Sequence, residues 1–212
     1  MPHYNGLSCV DFCIFIIVNE LNPANFTDDQ VIEATKTWVQ QVVVAHNFCP
    51  FAAREVQRNS IRYTTDRGED YESLEKTLLK ELELLDAHTE IETTLIIYPT
   101  FLWRFRNDYL DWLSEATESL EESGYEGIYQ IASFHPDYVF EGVEQNDPSH
   151  YTNRSPFPMI HLLREESIER AIASHENIDE VPEINIAKCR EMGVNNMNNS
   201  LLLCYLSAIP DS

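Results

Sequence analysis

The alternation of short β-prone runs with amphipathic helices between positions 61 and 134 constrains this chain more than any other feature. Ile61 to Thr65 is a β-branched run, Thr93 to Tyr98 a continuous apolar one, and Ile128 to Phe134 a third. Between them, Glu69 to Ala87 places Leu74, Thr77, Leu78, Leu82 and Leu85 on one helical face. Phe105 to Ser123 does the same with Tyr109, Leu113, Ala116 and Leu120, and Gly124 stands where a helix terminator belongs. Helices of this length between successive strands imply right-handed crossovers onto parallel neighbours. The expected fold is therefore α/β, a layered sandwich with a mostly parallel central sheet and flanking helices.

This domain is expected to span residues 28 to 176. Thr27 followed by Asp28, Asp29 and Gln30 reads as a helix start, and the apolar face from Val31 to Val43 carries that helix to about Asn47. Cys49-Pro50 opens a second short helical stretch that reaches Arg58. Residues 135 to 156 contain three prolines and no periodicity, yet their aromatic content predicts an ordered, packed loop of the kind that carries function. Met159 to Leu163 fits either a strand or the first turn of a helix, and Arg164 to Ser174 is helical. Residues 1 to 27, with a β-prone run from Val10 to Val18, read as an N-terminal extension. Residues 177 to 212 read as a loosely attached C-terminal tail.

The chain carries 36 acidic against 14 basic side chains, a formal charge of −22. Such a balance argues against nucleic acid, whose phosphates require a basic face. The six glycines form no dinucleotide or phosphate loop, and no serine-hydrolase elbow is present. The longest early apolar run is too short to cross a bilayer, so no membrane partner is expected. Five scattered cysteines predict reduced thiols and a cytoplasmic location. No residue pattern points to a particular cofactor or oligomeric state.

In open parallel sheets ligands bind beyond the carboxyl ends of the strands. Asp66 and Arg67, Tyr98 to Thr100, and His135 with Asp137 would then share one edge. His135-Pro136-Asp137 offers an acid/base pair or, with His161, the ligands of a metal ion; the plainer alternative is a strand-end cap with a local turn. If helical, His161 and Arg164 share a face and form an anion site with Arg154, unless Arg164 pairs with the neighbouring glutamates. Cys49 at a helix N-terminus would be a candidate nucleophile with His135 or His161 as base; otherwise it is a buried thiol between Phe48 and Phe51.

The strings Asn47-Phe48-Cys49-Pro50-Phe51-Ala52, Glu92-Thr93-Thr94-Leu95, Gln130 to Pro136, Tyr151-Thr152-Asn153-Arg154-Ser155-Pro156 and His161-Leu162-Leu163-Arg164-Glu165 occur in one order along the chain. Together they resemble an uncharacterised bacterial family, domain of unknown function number 1415, over about residues 30 to 175. The resemblance implies no activity. It does imply that Cys49, His135, Asn153, Arg154, His161 and Arg164 belong to shared motifs.

The sequence thus predicts an enzyme acting on a small anionic metabolite. His135, Cys49 and His161 would be catalytic, and Tyr151, Asn153, Arg154 and Arg164 would bind the substrate. A non-catalytic module that holds a metal through His135, Asp137 and His161, or holds another ligand, is the alternative. A structural or partner-binding protein is the third reading.

Overall fold

The computed structural model describes residues 25–103, 106–174 and 177–209. The β-prone run from Val10 to Val18 lies outside them. Helix α1 (Asp28–Trp38) starts as its sequence predicts: Thr27 and Gln30 bond each other's backbone in a reciprocal cap. The helix widens into a π-helical stretch over Val39–Val44 and ends at Asn47, whose φ is +55°. After a turn come α2 (Ala52–Arg58), β1 (Ile61–Thr65), α3 (Tyr71–Ala87), β2 (Thr93–Ile97), α4 (Arg106–Glu122) and β3 (Tyr129–Phe134). A long loop with one 3-10 turn (Pro148–Thr152) leads to β4 (Met159–Arg164), α5 (Glu165–Ala173) and α6 (Val181–Ser207), the last broken at Gly193.

The sheet order is β1-β2-β4-β3. β1 and β2 are parallel, but β4 runs antiparallel to both of its neighbours. The α/β class therefore holds, while the mostly parallel sheet does not. The reason is local. β3 ends at Phe134, the loop stays at that edge, and β4 begins at Met159 directly opposite Phe134, so the chain turns back into the slot beside β2. Strands β1, β2 and β3 still point the same way, and their carboxyl ends share one edge.

Alternation along the strands gives two cores. On one face Leu95, Ile97, Met159 and the partly buried Tyr63 and Phe134 meet Val31, Ala34, Trp38 and Val42 from the first helix and Cys189, Met197 and Cys204 from α6. On the other, Ile96, Tyr98, Ile160 and Leu162 meet Leu74, Leu78, Leu82 and Leu85 of α3 and Tyr109, Trp112, Ala116 and Leu120 of α4. Each of these four leucines of α3 is fully buried, worth about 1.5–3 kcal/mol. α6 corrects the expected loose tail: it supplies core residues, and Asn185 donates from its side chain to the Phe48 carbonyl at 2.7 Å.

Candidate functional site

Between the first face of the sheet and its covering helices lies a cavity of about 580 Å³, within the range of small-molecule sites. Its floor is Thr93 and Leu95 of β2, Ala132 and Phe134 of β3, and His161 and Leu163 of β4. Trp38, Val39 and Val43 form one wall, and Phe48, Cys49 and Phe51 from the following turn form the next. Ile168 and Ala171 of α5 and Ile186 of α6 close another side, while Phe140, Thr152 and Asn153 reach in from the long loop. The lining is predominantly apolar.

That loop is fixed from within. His150 is fully buried, accepts the Phe140 N–H on Nδ1 at 3.2 Å and donates from Nε2 to the Glu144 carbonyl at 2.8 Å. Asp147 accepts the Ser149 N–H and pairs with Arg190 of α6 at 3.0 Å. The loop is therefore ordered and packed, as its aromatic content predicts.

His161 is the most informative polar group in the cavity. Thr93 Oγ1 donates its single proton to the Leu162 carbonyl and lies 2.5 Å from His161 Nε2. With that proton engaged, the hydroxyl can only accept, so this network assigns the imidazole proton to Nε2. Nδ1 then carries a lone pair. No hydrogen bond to it is found among the described residues, and the half-buried ring lines the cavity. Burial pushes the imidazole down to about 4, and the ring is neutral at pH 7.

Cys49 and Asn153 line the same cavity as His161. Helix α2, however, has only seven residues and begins at Ala52, whose N–H bonds the Cys49 carbonyl at 3.2 Å. The thiol therefore lies ahead of the first turn of a short helix. Glu55 and Glu92 add acidic groups to the lining, and Arg54 is held by Glu55 at 2.6 Å. Burial alone would raise the Glu55 carboxyl, but hydrogen bonds from Ser60 and Arg54 outweigh it and keep the group below its ordinary value.

Of the other expected residues only Arg164 lines the cavity, and its guanidinium is engaged in the fold. His135 is 2% exposed and sits on the opposite face, its ring 5.0 Å from that of Tyr109. Its Nδ1 accepts the Asp137 N–H at 3.0 Å, a strand-end cap. Six residues of register, about 20 Å, separate His135 from Arg164 along the sheet. Because β4 is a strand, His161 and Arg164 point to opposite faces, and the shared helical face falls away. The Arg164 guanidinium bonds the Leu85 carbonyl at 2.5 Å, the Ile91 carbonyl at 3.1 Å and the Tyr129 hydroxyl at 3.0 Å, which closes the end of α3. Arg154 lies over the Tyr151 ring at 4.7 Å and donates to the Tyr138 carbonyl. Tyr151 is buried and donates to Asn198 of α6. The three residues of the metal alternative are thus divided between the two faces, and no group of three or more metal-ligating side chains gathers among the described residues.

At the carboxyl edge of β1 and β2, Asp66, Tyr98, Thr100 and Trp112 each bury one polar atom without a hydrogen-bond partner. Thr93, which orients His161, was legible only indirectly: a threonine pair opening an otherwise apolar buried strand signals hydroxyls in need of partners.

Fold and cavity together define an α/β protein built around a ligand-sized apolar chamber. Residues 30–199 match the family described as Protein of unknown function (DUF1415), and the chain belongs to that family. The match extends into α6, beyond the 30 to 175 over which the motifs run. No curated protein and no solved structure matches the chain. No described helix is long and apolar enough to cross a membrane.

Proposed function

We propose that this chain binds a small, largely apolar molecule in the chamber between the sheet and helices α1, α5 and α6. The observation that carries this reading is the cavity itself: about 580 Å³, walled by Trp38, Val43, Phe48, Leu95, Phe134 and Ile168, inside a protein whose two cores are otherwise closely packed. An anionic metabolite fits this lining poorly. Arg164 lines the cavity but is engaged with backbone carbonyls, Arg54 is paired with Glu55, and Arg154 is absent from the wall. Catalysis keeps Cys49 and His161 in one chamber, but an imidazole at about 4 is a weak base at neutral pH, so binding without turnover is the better fit.

The test is a fluorescence titration with N-phenyl-1-naphthylamine, which brightens in apolar surroundings. Saturable binding of one equivalent is expected, and Ala132→Trp, which fills the floor, abolishes it while leaving cooperative unfolding intact. No saturable binding to the wild type, or equal binding to the filled variant, overturns the reading.

A further inference from the structure

We infer that the molecule held in this chamber carries a neutral hydrogen-bond donor, an alcohol, phenol or amide N–H, that is received by Nδ1 of His161. This rests on the binding reading above and narrows it to a chemical class. Thr93 Oγ1 has one hydrogen, and the Leu162 carbonyl takes it. The same oxygen must then accept from His161 Nε2, 2.5 Å away, so the ring's remaining polar atom is a lone pair.

That lone pair belongs to a ring lining an apolar chamber, with no protein donor for it among the described residues. A ligand donor would satisfy it. A carboxylate or phosphate would instead set lone pair against lone pair, unless the ring took up a second proton. Burial opposes that proton, since the ring titrates at about 4. The lining sets Glu55 and Glu92 against Arg54 and Arg164, so it offers an anion no net positive charge. An apolar molecule without any head would fill the volume but leave Nδ1 unmatched. The chamber therefore ranks ligands of one shape by their head: donor first, bare hydrocarbon next, anion last.

Naphthalene, 1-naphthol and 1-naphthoate share one body and differ only in that head. Their affinities are to be measured at pH 7, by displacement of N-phenyl-1-naphthylamine, for the wild type and for His161→Phe. A net hydrogen bond of ordinary strength predicts that the 1-naphthol to naphthalene affinity ratio falls about tenfold in the variant. Thr93→Val, which frees Nε2 and lets the ring exchange its proton between nitrogens, lowers the ratio part of the way and serves if His161→Phe does not fold. An unchanged ratio in both variants, or 1-naphthoate as the tightest wild-type ligand, overturns the donor assignment while the cavity stands. Failure of all three to bind overturns the cavity reading itself.

Discussion

Thr93 and His161 meet across the β2–β4 ladder, 2.5 Å from Oγ1 to Nε2, on the face of the sheet that floors the cavity. Leu95 is the register partner of His161, so Thr93 is its diagonal neighbour, two residues along β2 and on the same side. This pair turns a half-buried histidine into an acceptor.

The ring gives stability a defined pH dependence. Its ordinary value is 6.5 and its folded value about 4. Between those limits the unfolded chain binds a proton that the folded chain refuses, so the contribution is full above about pH 6.5 and declines as pH falls towards 4. The total is at most about 3 kcal/mol. Denaturant unfolding of wild type and His161→Phe from pH 7.5 to 3.5 should show the wild type losing stability faster between 6.5 and 4. Parallel curves would refute the neutral ring.

Arg164 is assigned to the fold. Arg164→Met removes its bonds to Leu85, Ile91 and Tyr129 and should lower unfolding free energy by about 2–3 kcal/mol. N-phenyl-1-naphthylamine affinity should stay within about twofold. Lost affinity with unchanged stability would return Arg164 to the ligand.

Tyr98 and Tyr109 form a contrasting pair. Both are 1% exposed. The Tyr109 hydroxyl donates to the Met159 carbonyl at 2.9 Å and accepts the Phe134 N–H at 3.1 Å, whereas that of Tyr98 faces only the Trp112 indole, outside good hydrogen-bond geometry. Tyr109→Phe should therefore cost about 1–3 kcal/mol, and Tyr98→Phe should be neutral or stabilising. A loss of comparable size at Tyr98 would mean that its hydroxyl is hydrogen-bonded in solution.

Cys49 lines the cavity, while Cys189 and Cys204 are fully buried and burial pushes their thiols up to about 11 and about 12. Iodoacetamide at pH 7.5, mapped by peptide mass spectrometry, should label Cys49 well ahead of those two, and 1-naphthol should protect it. Labelling that ignores the ligand would place Cys49 outside the bound region.

The elements from β1 to β3 were legible because each apolar stripe has one period and its own terminators. Sheet order was not, because it depends on the path of the long loop, and the six residues Met159 to Arg164 fit a strand as well as a helix start. α6 concealed its packing: the break at Gly193 and the asparagines from 195 to 199 interrupt its apolar stripe, although Cys189, Met197 and Cys204 are buried. Of the candidate site residues, Cys49, Asn153, His161 and Arg164 line the cavity, and the Arg164 guanidinium is engaged with backbone carbonyls. The sequence alone places His161 on a helical face shared with Arg164, whereas its chemistry comes from a strand and from Thr93.

The most direct measurement is the long-range ¹H–¹⁵N spectrum of the histidine rings at pH 7. The account predicts that His161 is protonated on Nε2 alone, with its Nδ1 signal shifting on addition of 1-naphthol and moving little with naphthalene. A ring protonated on Nδ1, or on both nitrogens, would contradict it.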